Sequence, residues 1–268
     1  MNIQENQLPD YLKSVIQGEI NVFNESRSVT VRNEIPDTNE IPIENPTYWF
    51  KIPDVICVFV DMLGSTKLSA AHHEKSTAGA YQLFTNTAVK IFHEMDAPYI
   101  DVRGDGVFAL FNSNQVYRAF VSAVSFKTFA DLEFVPRIKQ LTSIDIGCHV
   151  GIDQKTVLVR KMGLKKKNGR SDRQNEVWAG KPVNMAAKLA SLSKHNQLLV
   201  SDRYYNNLSD NKARTSCGCP GGVPVDLWKP MDVNANKMFD FDIAYSLESN
   251  WCTVHGKKYF DELLALDK

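Results

Sequence analysis

The sequence predicts an α+β fold in which helices pack on a mostly antiparallel sheet. Three observations carry that expectation. The apolar run Val55–Val60 reads as a buried strand, and the stretch Ala78–Met95 after it repeats Tyr81, Phe84, Ala88, Ile91 and Phe92 on one helical face. Two strand-like runs flank Gly104-Asp105, as in a hairpin. The order of strand, helix, hairpin, helix, strand and helix then suits helices layered on a sheet of antiparallel neighbours.

The elements follow in order along the 268 residues. Between Tyr11 and Phe23, apolar residues at Leu12, Val15, Ile16, Ile20 and Val22 make a short, imperfect amphipathic helix, expected to pack on a partner surface. Arg27–Pro46 mixes charged residues, Asn and Pro with isolated β-branched residues, the pattern of an extended linker or edge segment. A boundary near Asn45 divides an N-terminal helix and linker, 1–45, from a main domain, 46–206. Val116–Leu132 reads as a second helix, Ser143–Ile152 alternates as a strand, Met185–Ser193 is helical and Gln197–Ser201 is a strand. Past Tyr205 the composition changes, so 207–268 is set apart as a cysteine-containing extension.

Thirty-one basic residues balance 31 acidic ones, so charge predicts neither nucleic acid nor membrane as a partner. Met1–Asn6 lacks a basic segment leading into an apolar core, and no apolar run is long enough to span a bilayer. A cytoplasmic protein is the expectation. Of five cysteines, Cys57 and Cys148 lie in apolar strand runs, which does not resemble a disulfide framework.

Two aspartates point to chemistry. Asp61 closes the Val55–Val60 run and opens Asp61-Met62-Leu63-Gly64-Ser65-Thr66, while Asp105 lies in the Gly104-Asp105-Gly106 turn. Both carboxylates can project from one sheet edge toward a shared point. Hard oxygen ligands so arranged suit Mg²⁺ or Mn²⁺, and a metal pair suits phosphoryl chemistry. Gly64 relieves steric restriction and Ser65 or Thr66 can cap the next helix, whose backbone N–H groups would face a phosphate.

These segments carry a resemblance. Phe59-Val60-Asp61-Met62-Leu63-Gly64-Ser65-Thr66, Gly104-Asp105 and Gly180-Lys181-Pro182-Val183-Asn184-Met185-Ala186-Ala187-Lys188-Leu189 resemble the three signature segments of class III nucleotidyl cyclases, in the family's order. The resemblance spans roughly Trp49–Tyr205. It implies a ferredoxin-like catalytic domain that cyclises a nucleoside triphosphate to a 3′,5′-cyclic monophosphate and releases pyrophosphate. Asp61, Asp105 and the carbonyl of Met62 would hold two Mg²⁺ or Mn²⁺ ions, one aiding deprotonation of the ribose 3′-hydroxyl and the other neutralising the leaving pyrophosphate. Asn184 would orient the ribose. Lys188 stands where the family usually has an arginine that stabilises the transition state; lysine neutralises charge there but lacks the planar fork. The resemblance also implies a homodimer, with carboxylates from one subunit and Asn184 and Lys188 from the other.

The base-reading positions depart from the family. Its usual lysine or glutamate is here Asp101, and a usual aliphatic residue is Arg103, on one strand face with Asp105. Arginine there would crowd a purine. A pyrimidine fits: uracil N3–H can donate to Asp101 while its carbonyls accept from Arg103, and cytosine has an equivalent pattern. The competing reading is a salt bridge that only shapes the hairpin. The combination resembles the pyrimidine cyclases of bacterial anti-phage systems, which implies UTP, or CTP, as substrate and a separate effector that answers to the cyclic nucleotide.

Adenylate or guanylate cyclase activity, or a nucleotide-binding pseudo-cyclase suggested by Lys188, remain as alternatives. Diguanylate cyclases share the topology, but their Gly-Gly-Asp/Glu-Glu-Phe hairpin does not match Arg103-Gly104-Asp105-Gly106-Val107. The basic stretch Lys161–Arg173 has no interleaved aromatic residues for base stacking and reads as a solvated loop or dimer arm. Finally, Cys217-x-Cys219 and Cys252-x-x-His255 offer two close ligand pairs that suit a structural Zn²⁺.

Overall fold

The computed structural model describes residues 7–70, 74–164 and 173–267. The opening Met1–Asn6 and most of the basic stretch, Lys165–Asp172, lie outside the described residues. The chain begins with α1 (Asp10–Asn24), β1 (Ser28–Val31), the long β2 (Tyr48–Leu63), α2 (Ser65–Ala70) and α3 (Glu74–Glu94). The hairpin β3 (Tyr99–Arg103) and β4 (Gly106–Phe111) leads to α4 (Val116–Phe129) and α5 (Val135–Thr142). Next come β5 (Gly147–Gly163), β6 (Gln174–Gly180), α6 (Lys181–Leu192), β7 (Gln197–Ser201), α7 (Asp202–Asn207) and α8 (Asn211–Arg214). β8 (Trp228–Asp232), β9 (Ile243–Leu247) and α9 (Gly256–Leu264) complete the chain.

Among the described residues nine strands form one sheet in the order β3-β4-β2-β5-β7-β9-β8, with β1 also paired to β2 and β6 to β5. Only β1–β2 and β5–β7 are parallel. β2 and β5 are the spine, running antiparallel from Phe50↔Val159 to Leu63↔Gly147. A register shift interrupts them between Ile52 and Val55, where Pro53 cannot donate to the ladder and Asp54 takes a positive φ of 50°. The two halves of the spine thereby serve different neighbours: β4 and β7 on one side of the bulge, β1 and β6 on the other.

Period-two alternation sends the two sets of β2 side chains to opposite layers. Ile56, Val58, Val60 and Met62 join a buried cluster with Phe84, Phe92, Phe120, Phe126 and Phe134 of the helical layer. Val55, Cys57 and, partly buried, Phe59 face the other way, with Tyr99, Phe108, Trp178 and Ala186. On that second face α6 crosses β5 at Gly151, where a Cβ would lie 2.1 Å from the Ala186 carbonyl oxygen. Ile35 and Ile41 from the segment after β1 pack into the same cluster.

Several expectations shift for physical reasons. Asp61 does not end its strand: β4 leaves β2 at Val60↔Val107, but β5 accompanies it to Leu63. Rather than one helix to Leu132, α4 passes through a π-helical turn, Ala130–Phe134, into α5, and Pro136, which has no N–H to donate to the preceding turn, lies directly after that irregularity. The strand starting near Ser143 begins at Gly147 and continues to Gly163, because both β6 and β7 need a partner. Beyond Tyr205, β8 and β9 extend the sheet, and Trp228, Leu247 and Leu263 enter the main core. α1 buries none of its residues, leaving Tyr11 71% and Phe23 75% exposed. No helix of the described residues is long and apolar enough to cross a membrane.

Candidate active site

The β2–β4 register brings the two aspartates together. Since Val60 pairs with Val107, the next step along each strand sets Asp61 beside Gly106, one residue from Asp105. A Cβ on Gly106 would lie 3.2 Å from Asp61 Oδ1 and 3.0 Å from the Phe59 ring, so glycine leaves the space into which the Asp61 carboxylate leans. Burial, and then the negative charge of Asp105, push the Asp61 carboxyl up to about 6, against a hydrogen bond from the Met62 backbone that lowers it. A carboxylate pair that resists its own charge fits divalent cations, which remove the repulsion. The side chain of Met62 is buried in the opposite layer, so only its backbone is available here. Gly64, at φ +89°, makes the turn into α2, with Ser65 half-buried and Thr66 exposed in its first turn.

Tyr99, Asp101 and Arg103 occupy alternate positions of β3, on the face shared with Asp61. Arg103 donates to Asp101 Oδ2 from Nε at 2.8 Å, with Nη2 at 2.6 Å. The Tyr99 hydroxyl lies 3.5 Å from both Asp101 Oδ2 and Glu176 Oε2. Burial raises the Tyr99 phenol far above its ordinary value, so it remains a proton donor. Its ring tilts against Trp178, centroids 4.7 Å apart, and the buried Trp178 Nε1–H sits beside the Tyr99 hydroxyl without a well-formed hydrogen bond, close enough to favour the phenolate against the stronger effect of burial. Tyr99 and Trp178 were missed by sequence reasoning. For Tyr99 the available signal was period two, since it lies two residues from Asp101, a position already singled out.

Asn184 and Lys188 sit on α6, over the same sheet face. Asn184 is exposed, and Lys188 Nζ donates to the Met238 carbonyl at 2.8 Å. Among the described residues, no hydrogen bond or ion pair joins either side chain to Asp61 or Asp105. The loop holding Met238 is itself anchored: Asp240 receives Lys155, Lys181 and Arg203 at 3.1, 2.7 and 3.1 Å, and Arg203 also pairs with fully buried Asp153 at 2.6 Å. Burial opposes ionisation of Asp240, yet the three cations hold its carboxyl well below the usual range. Lys257 and Lys258 lie on α9, which packs against α4 in the helical layer on the other side of the sheet.

The adenylate and guanylate cyclase catalytic domain model matches residues 48–229. The chain belongs to this family, the class III nucleotidyl cyclases. Two relatives named uridylate cyclase, from Propioniciclava tarda and Micromonospora echinofusca, are each 33% identical to this cyclase; the matches cover 93% and 83% of this chain and 82% and 73% of theirs. Among solved structures, the guanylyl cyclase Cya2 superposes with a TM-score of 0.57 at 16% identity, covering 74% of this chain and 92% of that one. The adenylyl cyclase CyaB from P. aeruginosa gives 0.57 at 17%, covering 75% and 96%. The mostly antiparallel sheet with its helical layer is therefore the class III cyclase fold. The family uses divalent metal ions and a nucleoside triphosphate substrate, which accords with the paired carboxylates of this nucleotidyl cyclase.

Proposed function

We propose that this chain converts UTP to 3′,5′-cyclic UMP and pyrophosphate, with CTP as the alternative pyrimidine substrate. The observation that carries the reading is the placement of Asp101 and Arg103 on the sheet face of the Asp61–Asp105 carboxylates, and not the ion pair between them, which a bridge that only shapes the hairpin would form as well. The Nε hydrogen bond and the Nη2 ion-pair contact both fall on Asp101 Oδ2, which leaves Oδ1 and Arg103 Nη1 to serve a base edge as acceptor and donor. Uracil N3–H would donate to Asp101 and a carbonyl of the base would accept from Arg103. Polar readers in a half-buried site discriminate strongly, because the wrong base leaves them unpaired. The uridylate cyclase names of the relatives support the same base.

Mg²⁺ or Mn²⁺ held by Asp61, Asp105 and the Met62 carbonyl would supply activation of the 3′-hydroxyl and neutralisation of phosphate charge. Gly64, Ser65 and Thr66 would receive the phosphates at the turn into α2. Asn184 would orient the ribose, and Lys188 would release the Met238 carbonyl to meet the α-phosphate. Since Asn184 and Lys188 do not engage the carboxylates of their own chain, we assign them to the site of the second subunit in a homodimer with two equivalent centres. The product would act as a second messenger on a separate effector in antiviral defence, from a cytoplasmic enzyme.

Incubation of the purified protein with each of the four ribonucleoside triphosphates and Mn²⁺, with products identified by mass spectrometry, tests the reading. Cyclic UMP, or cyclic CMP, is the expected main product. Cyclic AMP or cyclic GMP in its place overturns the base assignment, and tight nucleotide binding without pyrophosphate release overturns the reaction.

A further inference from the structure

Far from the nucleotide face, the fold gathers four soft ligands. Cys217 and Cys219 lie in the loop after α8, and Cys252 and His255 immediately precede α9. Thirty-two residues separate Cys219 from Cys252 in the chain, yet the ligand atoms of all four residues lie within 4.8 Å of one another. Cys219 Sγ is 3.2 Å from His255 Nδ1, near the roughly 3.6 Å edge between sulfur and nitrogen ligands of a tetrahedral zinc centre.

Both arms of the cluster are built on independent supports. On one side, Ser216 Oγ accepts from the Gly218 and Val225 backbone N–H groups at 3.3 and 3.0 Å, and the Ser216 N–H donates to the Val225 carbonyl at 2.8 Å. Gly218, between the two cysteines, takes φ +84°, and a Cβ there would meet the Gly222 carbonyl carbon at 2.9 Å, so the turn that aims both sulfurs requires glycine. On the other side, Trp251 is tied to α4 by hydrogen bonds to Thr128 and Ser125 at 3.2 and 2.9 Å, and the Gly256 N–H returns to the Cys252 carbonyl at 2.7 Å. The cysteines are not disulfide-bonded.

The geometry points to a structural Zn²⁺ site made by Cys217, Cys219, Cys252 and His255, which fastens the 215–225 loop to the start of α9. Three sulfurs and one imidazole fill a tetrahedron and leave no open position, the mark of a structural rather than a catalytic centre. Binding as thiolates, the cysteines give up their protons to solvent, and His255 binds as the neutral ring through Nδ1. Two loops with few apolar contacts of their own are thereby joined to the helical layer through Trp251. The cavity beside the cluster, lined by Phe120, Val124, Leu227 and Tyr259, keeps its wall only while the two arms stay together.

The test uses the full chain purified in reducing buffer, dialysed without chelator and analysed for bound metals. About one zinc per chain is expected. Asp105→Asn should retain it, which separates this site from the nucleotide metals, and Cys252→Ser should lose at least nine-tenths of it. Should Cys252→Ser fail to fold, Co²⁺ added to demetallated wild-type protein gives a second reading: the intense visible bands of tetrahedral thiolate-bound cobalt are expected, and His255→Cys should keep them. Folded wild-type protein that retains no zinc and gives no such bands overturns the proposal, as does a mass showing a disulfide among these cysteines in protein kept reduced. None of these readings depends on cyclase activity, so their failure leaves the proposed reaction untouched.

Discussion

Arg103 holds Asp101 through a single oxygen, with Nε at 2.8 Å and Nη2 at 2.6 Å from Oδ2. The pair is formed without nucleotide, so on the proposed reading an incoming base would meet an ordered donor and acceptor instead of two mobile chains. Pre-ordering of this kind lowers the entropy cost of reading the base. Arg103→Ala and Asp101→Ala should each reduce kcat/KM for UTP by about 10- to 100-fold, the worth of one hydrogen bond to a charged group. Competition assays with all four nucleotides check this. An equal loss for every base would reduce the pair to a shaper of the hairpin.

The Asp61 carboxyl, raised to about 6, makes the metal-free protein sensitive to pH. A group raised in the folded state contributes stability that is fully present below its unfolded value near 4 and lost as pH rises through about 6. Metal-free protein should thus melt at higher temperature at pH 5 than at pH 7. Asp61→Asn removes the repelling charge and should raise stability at pH 7 by about 2 kcal/mol, with thermal melts rising by about 5 °C, while abolishing turnover. Mn²⁺ held by Asp61, as proposed, would compete with the same proton, so its affinity, followed by titration calorimetry, should weaken as pH falls below about 6.

Sites shared between subunits can be tested by mixing. Asp105→Asn and Lys188→Ala should each be inactive alone. Refolded or co-expressed together, half the dimers carry one intact centre, and activity should return to about a quarter of the wild-type value. A mixture as inactive as its components would place both groups in one chain.

Gly151 is where α6 rests on β5, and an added methyl would meet the Ala186 carbonyl oxygen at 2.1 Å and the Ala190 nitrogen at 2.5 Å. Both are backbone atoms and cannot rotate away. Gly151→Ala should therefore shift the whole helix, costing about 3 kcal/mol of stability in urea melts, and should lower kcat by displacing Asn184 and Lys188.

Lys127 is a buried cation in the helical layer, 1% exposed. Its ammonium donates to the Glu248 carbonyl and Asn250 Oδ1 at 2.7 Å each, to the Ser249 carbonyl and Asp131 Oδ2 at 3.3 Å each, and to Asn196. Burial lowers its pKa, and Asp131 opposes that shift. Lys127→Ala would leave this ring of acceptors without a donor and should cost about 3–5 kcal/mol in denaturant unfolding.

Local pattern alone determined much of this protein. A continuous apolar run marked β2, strand-like runs marked the β3–β4 hairpin and β7, a helical repeat marked α3, and three ordered segments indicated the family, because each signal is written within a dozen or so neighbouring residues. The C-terminal strands and helix escaped that reading: Trp228, Leu247 and Leu263 are too sparse to form a local pattern and become core only against α4 and β7. Tertiary structure alone decided what meets what. The β2–β4 register set Asp61 beside Asp105, strands 77 residues apart in sequence set Tyr99 against Glu176, and partners up to 123 residues distant surrounded Lys127. The spacing of Cys217, Cys219, Cys252 and His255 was visible from the start, but their convergence depends on where α8 and α9 dock, an outcome of burying side chains from the whole chain at once.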